Sequence, residues 1–197
     1  MNRKKKKLLW LVAGLTASLV LLLVVAAVAA WNNPNWFVAD GDHASEIAAA
    51  AKKHGLDPNL VRALVYQESR FKADKRGKKG EIGLMQVLPK GAAAEWARVN
   101  KRRIPSNREL FNIRTNLDIG CWYLSRAKRR WRDYDHGLEL ALAEYNAGPT
   151  KSREWAPPDK RGEVIPRIRI ASTKKYVTEI MARYRSYARA EAEAKNK

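Results

Sequence analysis

The sequence predicts an all-α domain preceded by one membrane-spanning helix, and three observations carry that prediction. Between about residues 45 and 187, apolar side chains recur at three- and four-residue intervals, with no long alternating strand pattern and no internal repeat. Glycine and proline punctuate these periodic stretches near their ends. Ahead of them, Leu8 to Trp31 runs 24 residues without a charge, directly after a segment that carries five basic side chains. As a helix rising 1.5 Å per residue, that run is about 36 Å long, enough to cross a hydrocarbon core of roughly 30 Å with some tilt.

The elements follow in order. Residues 1–7 form a basic segment, 8–31 the membrane anchor and 32–44 a linker marked by Pro34 and Gly41. The small residues Ala27-Val28-Ala29-Ala30 offer the alternative of a cleaved signal peptide, against which the length of the apolar run weighs. By the positive-inside bias Lys4 to Lys7 stay cytoplasmic, so the domain at 45–187 faces the periplasm or the extracytoplasmic side of the inner membrane. Ala44 to His54 reads as a helix stopped by Gly55, and Pro58 begins a second that reaches about Arg70. Lys72 to Gly80 is a charged loop with room for a small β-hairpin. Pro89 opens another helical stretch through Ala97, Arg108 to Ile113 is a single turn, and Thr115 to Trp131 is a strong helix. Leu138 to Ala147 is a further helix, stopped by Gly148-Pro149. Ser172 is the expected N-cap of a last helix through Tyr176, Ile180 and Tyr184, and the charged tail 188–197 is expected to fray.

Charge and composition narrow the function classes. The formal net charge is +19, and removing the basic leader leaves about +14. Such a charge ordinarily points to nucleic acid, but export places anionic envelope polymers, phospholipid headgroups and wall carboxylates in its path instead. Cys121 is the only cysteine, and His43, His54 and His136 have no ligand spacing, so neither an internal disulfide nor a metal site is expected.

One carboxylic acid stands out. Val61, Leu64, Val65 and Glu68 fall at i, i+3, i+4 and i+7, which places Glu68 on the apolar stripe of its helix. Desolvation there raises the pKa, as a general acid working near neutrality requires. The plain alternative is an ion pair with Arg62 or Arg70. Gly83 allows close backbone approach, and Gln86 brings an amide suited to hydroxyl or N-acetyl recognition; Leu84 and Met85 can equally be core. Tyr145 lies on the inward face with Leu138, Ala141 and Leu142, and Asn146 stands before Gly148.

Taken in order, Glu68-Ser69, Gly83-Leu84-Met85-Gln86, Asn116-x-x-x-Gly120 with Tyr123-Leu124, and Ala143-x-Tyr145-Asn146-Ala147-Gly148 resemble the successive motifs of soluble-lytic-transglycosylase (SLT) domains. The resemblance implies a lysozyme-like helical domain acting on peptidoglycan glycan strands. It would cleave the β-1,4 bond between N-acetylmuramic acid and N-acetylglucosamine without consuming water. Glu68 would be the catalytic acid and base, and the muramoyl C6 hydroxyl the internal nucleophile, giving 1,6-anhydro ends with no cofactor. Ser69 and Tyr145 would orient the acid, while Gly83, Leu84, Met85, Gln86, Tyr145 and Asn146 would line the glycan site. Ser172-Thr173 departs from the resemblance, in which an acidic residue commonly precedes that threonine of a Thr-x-x-Tyr-Val run. Glu81, where a small residue is usual, is a candidate second acid that would favour hydrolysis. A muramidase, a silent glycan binder and a helix-turn-helix over Ile47 to Gln67 are the remaining alternatives; no nucleic acid is expected outside the membrane.

Overall fold

The computed structural model describes residues 43–196, so the basic segment at 1–7, the anchor at 8–31 and nearly all of the linker at 32–44 lie outside the described residues. Within them the chain is all-α, with seven α-helices: α1 Ala44–Lys53, α2 Pro58–Ser69, α3 Ala94–Val99, α4 Asn107–Leu110, α5 Ile113–Arg130, α6 Gly137–Trp155 and α7 Ala171–Lys195. None of these is long and apolar enough to cross a membrane.

Local chemistry sets several of the ends. Asp57 caps α2 by accepting the Asn59 N–H at 2.8 Å, with Pro58 in the first turn where its missing N–H costs nothing. Ser106 and Glu109 form a reciprocal capping box around α4, and Asn112 caps α5 through the Thr115 N–H. The charged loop after α2 contains no strand. Its pairing is limited to isolated bridges between Arg76 and Ile82 and between Ile82 and Val87. Pro89–Ala93 forms a π-helical turn that leads into α3.

At the helix ends one expectation holds and two are corrected. Gly148 does interrupt α6, with φ 83° and ψ 167°, yet helical structure resumes at once and carries Trp155 into the core. Proline is favoured in the first turn of a helix, so Pro149 starts the second half of α6 rather than ending the first. At α7 the N-cap position is Ile170, not Ser172, and no side chain caps it. Burial of Ile168 and Thr173 fixes where the chain enters the helix, which leaves Ser172 inside the first turn. The tail also stays helical to Lys195. Buried Tyr187 under the Arg62 guanidinium, and Glu191 accepting from Asn59 at 2.6 Å, hold it against α2.

The core follows from the packing of α5 against α1 and α6, of α6 against α7, and of α7 along α2. Leu60, Leu64, Leu117, Leu124, Leu140, Leu142, Val177 and Ile180 are all essentially inaccessible at its centre. Between α5 and α6 this core takes in the Glu144 carboxylate. Glu144 accepts the Trp131 indole N–H at 2.7 Å and pairs with Arg130 at 3.2 Å, so it belongs to the helix packing. Glu144→Ala would strand a buried indole N–H and a cation; a loss of about 2–4 kcal/mol in urea unfolding is expected, with Glu144→Gln costing less because an acceptor remains.

Candidate active site

The last turn of α2 delivers Glu68 to the place where four segments converge. Val61, Leu64 and Val65 bury the stripe beneath it, while Glu68 itself is only partly covered. The helix then ends abruptly, with Arg70 and Phe71 both in the left-handed region at φ 55° and 62°. Two successive non-glycine residues there are unusual, and burial of the Phe71 ring holds the turn. Arg70 lies over the Tyr66 ring, 4.1 Å from its centroid, so the expected ion-pair alternative for Glu68 does not form with it.

The acid is held from α7. Tyr176 donates its phenol hydrogen to Glu68 Oε1 at 2.5 Å, and the Lys75 ammonium donates to the Glu68 backbone carbonyl. Burial raises the Glu68 carboxyl from 4.5 to about 7; the Tyr176 hydrogen bond and the Lys75 charge pull it down, and the charge of Glu81 pushes it up. Desolvation wins because this carboxylate is offered one strong donor and no guanidinium. Burial likewise raises the Tyr176 and Tyr145 phenols well above their ordinary range, with the Glu68 charge adding to it.

Beneath the acid, the turn 83–86 is fixed by one amide. Asn116 Oδ1 accepts the Met85 N–H at 2.8 Å, while its Nδ2 donates to the carbonyls of Ile82 and Leu110 at 2.7 and 2.8 Å. Gly83 sits at φ 76°, and a Cβ there would stand 2.5 Å from Asn116 Nδ2, so both backbone and space demand glycine. Four residues along α5, on the same face as Asn116, Gly120 lets Met85 approach to where a Cβ would be 2.4 Å from its sulfur. The spacing Asn116-x-x-x-Gly120 is thus the seat of this turn. Tyr145 completes it by donating to the Met85 carbonyl at 2.8 Å, with its ring edge-on to Tyr123 at 5.6 Å.

Several expected roles change accordingly. Leu84 and Met85 are 0% exposed, so their side chains build the core under the site and do not line a glycan surface. Ser69 donates to the Val65 carbonyl at 3.1 Å, as a serine inside a helix does, and not to the acid. The Tyr145 hydroxyl is engaged by Met85, so the direct orienting bond to Glu68 comes from Tyr176 instead. Gln86 spends its amide hydrogens on the Gly83 and Lys75 carbonyls. Asn146 is exposed, and its Oδ1 accepts from buried Thr173 at 2.8 Å, which orients the rest of its amide outward. Glu81 accepts the Lys79 N–H at 2.8 Å, closing its own loop, and Gly77 leaves the space its carboxylate fills. Tyr176 and Lys75 are the residues that sequence reasoning missed. A signal for Tyr176 existed: a buried phenol and a buried carboxyl on two apolar stripes each need a partner.

The remaining sequence expectations concern groups away from the acid. Cys121 is buried, its thiol pushed up to about 12 by desolvation, with Met85 sulfur 3.8 Å away. Among the described residues no cluster of three His, Cys, Asp or Glu side chains is placed to hold a metal ion.

Residues 45–165 match the family model described as "Transglycosylase SLT domain". The membrane-bound lytic murein transglycosylase E of Buchnera aphidicola is 38% identical over 86 residues, covering 43% of this chain and 39% of that protein. The soluble lytic murein transglycosylase of Salmonella typhimurium is 30% identical over 142 residues, 68% of this chain and 21% of that protein. Among solved structures, an inactive mutant of lytic transglycosylase Slt from Pseudomonas aeruginosa aligns at a TM-score of 0.68 and 27% identity, over 81% of this chain and 26% of that one. The 70 kDa soluble lytic transglycosylase of Escherichia coli has the same fold, with a TM-score of 0.63 at 23% identity over 73% of this chain and 23% of that one. The chain therefore spans two fifths or less of the curated relatives it matches.

The raised acid has a stability consequence. Because the folded chain binds the Glu68 proton more tightly than the unfolded chain, its contribution is complete below about pH 4.5 and is lost as pH rises through about 7. Glu68→Gln removes that loss. In urea unfolding, the advantage of the variant over the parent should grow by on the order of 2–3 kcal/mol between about pH 4 and pH 8.

Proposed function

The chain belongs to the transglycosylase SLT domain family, and on that footing we propose that it is a lytic transglycosylase acting on peptidoglycan glycan strands. The observation that carries this reading is the carboxyl of Glu68 at the end of α2, raised by desolvation to about 7 and held at one oxygen by Tyr176. At neutral pH such an acid is protonated about half of the time, so it can give a proton and take one back within a turnover.

In the proposed reaction the free oxygen of Glu68 protonates the glycosidic oxygen as the bond from muramoyl C1 breaks. The resulting carboxylate then accepts the proton of the muramoyl C6 hydroxyl as that oxygen bonds to C1, and the starting acid is restored. No water is consumed, and the product ends in a 1,6-anhydro ring. An internal hydroxyl already placed beside C1 has a high effective concentration, which is why a second carboxylate is unnecessary. The Tyr176 hydrogen bond stabilises the carboxylate formed midway, while desolvation favours the acid at the start and the end. Glu81, turned onto the Lys79 amide, is poorly disposed to position a hydrolytic water. The outward edge of Asn146, held by Thr173 one turn before Tyr176 on α7, and the rim beside Gln86 are assigned to glycan binding.

The same reading extends to the part of the chain outside the described residues. Leu8 to Trp31 is proposed to anchor the protein in the inner membrane, with residues 45–187 as the catalytic domain on the periplasmic or extracytoplasmic side. A membrane-bound relative fits that placement. Remodelling or turnover of the cell wall is the process such an activity serves.

Digestion of purified glycan strands followed by mass spectrometry tests the chemistry. Anhydro-muramoyl ends are expected; addition of water would make the protein a muramidase, and absence of product a binding protein. Glu68→Gln should lower the rate by roughly 10²- to 10⁴-fold, and unchanged turnover would remove Glu68 from the mechanism. Tyr176→Phe should slow cleavage roughly 10- to 100-fold. Because it deletes a bond that favours the carboxylate, it should also move the alkaline limb of the kcat/KM profile to higher pH; a purely structural role would leave that limb in place.

A further inference from the structure

Away from the acid, the end of α3 and its connection to α4 form the segment Arg98–Ser106, which is exposed at every position but Pro105. Its shape is fixed at both ends. Lys101 adopts φ 52°, and the Arg102 N–H returns to the Ala97 carbonyl at 2.9 Å, closing α3 with a left-handed turn. Beyond it, the capping box of Ser106 and Glu109 opens α4. Between these anchors the chain projects Val99, 47% exposed, and Ile104, 53% exposed. These are two of the four large hydrophobic side chains most open to solvent among the described residues.

The same stretch of sequence carries Arg98, Lys101, Arg102, Arg103 and Arg108, with no acid between residues 98 and 108. Glu109 offsets one of these cations by pairing with Arg103, and the same carboxylate caps α4. Arg98, Lys101, Arg102 and Arg108 are likewise exposed in the segment that holds these two apolar side chains. None of these residues belongs to the Glu68 site.

We propose that the segment Arg98–Arg108 is a membrane-contact loop that seats on an anionic phospholipid surface, with its cations among the headgroup phosphates and Val99 and Ile104 in the acyl boundary. Two features together select lipid over a soluble polyanion. Phosphate-rich polymers reward the cations but have nothing to offer Val99 and Ile104, which would stay in water. A bilayer rewards both, since apolar side chains reach hydrocarbon a few ångströms beneath the charged surface. The fixed ends of the segment matter too, because a loop held in shape loses little conformational freedom on docking.

The test uses the full chain reconstituted into vesicles, so that any N-terminal anchor is present in every arm. Val99→Cys carries an environment-sensitive fluorophore; Cys121 is buried with its thiol pushed up, and stays unlabelled. Vesicles contain phosphatidylcholine alone or with about 30% phosphatidylglycerol, plus nitroxide-bearing lipid. Quenching about threefold or more stronger with the anionic lipid is expected, reversed by molar salt and abolished by Lys101→Glu with Arg102→Glu. Ile104→Ser should reduce it as well. Equal quenching in the two lipids would overturn the proposal. So would quenching indifferent to Ile104→Ser, or a label that responds to soluble polyphosphate and not to lipid. In detergent, each loop variant should cleave soluble glycan at the parental rate, which separates this surface from the catalytic reading.

Discussion

A single side-chain amide governs the geometry around the acid. Asn116 is buried, and a buried amide must satisfy one acceptor and two donors or destabilise the fold. It does so on backbone alone, reaching Met85, Ile82 and Leu110 from a rigid position on α5. Those three bonds pin both the turn at 83–86 and the end of α4 to α5. Tyr145 then binds the carbonyl of the same residue whose N–H Asn116 holds, so α5, α6 and the turn become one unit. Gly83 and Gly120 are the space this unit needs.

The other half of the site is built on a different physical basis. Glu68 comes from α2 and its phenol partner from α7, two helices that pack along each other and are tied again by Gln67 to Glu179 and by Tyr184 to Asp57. This redundancy keeps the acid beside Tyr176 even though its desolvation opposes ionisation. A thoroughly paired carboxylate would be stable but locked in its charged form. Here one neutral donor and a cation directed at the backbone leave the proton affinity near neutrality. Glu144 marks the contrast: one position before Tyr145, it pairs with Arg130 and Trp131 and serves packing alone.

Surface charge divides in a similar way. Many cations of the domain stand on exposed positions, where they contribute to solubility and long-range attraction to polyanions. At the end of α3 and in its connection to α4, cations share a segment with the two most exposed large apolar side chains of the described residues, and that combination is what would favour one kind of anionic partner.

Helical periodicity made α1, α2, α5 and most of α6 readable in the sequence, because each buries one stripe and its ends carry local caps such as Asp57, Asn112 and Gly55. The same periodicity placed Glu68 on a buried stripe, and the ordered motifs identified the family. Where an end depends on a distant neighbour, local chemistry misleads: Ser172 looks like a cap, but Ile168 and Thr173 set the start of α7, and Tyr187 against α2 keeps its tail helical. Motif spacing also could not separate support from contact. Leu84, Met85 and Ser69 read as site residues because they adjoin the chemistry in sequence, yet their side chains face the core or their own helix. The sequence by itself determined the helical class, the family and the position of Glu68 on an apolar helical stripe. Only the tertiary structure decided that Tyr176, 108 residues away, holds that acid, because desolvation and hydrogen bonding depend on what surrounds a group in space.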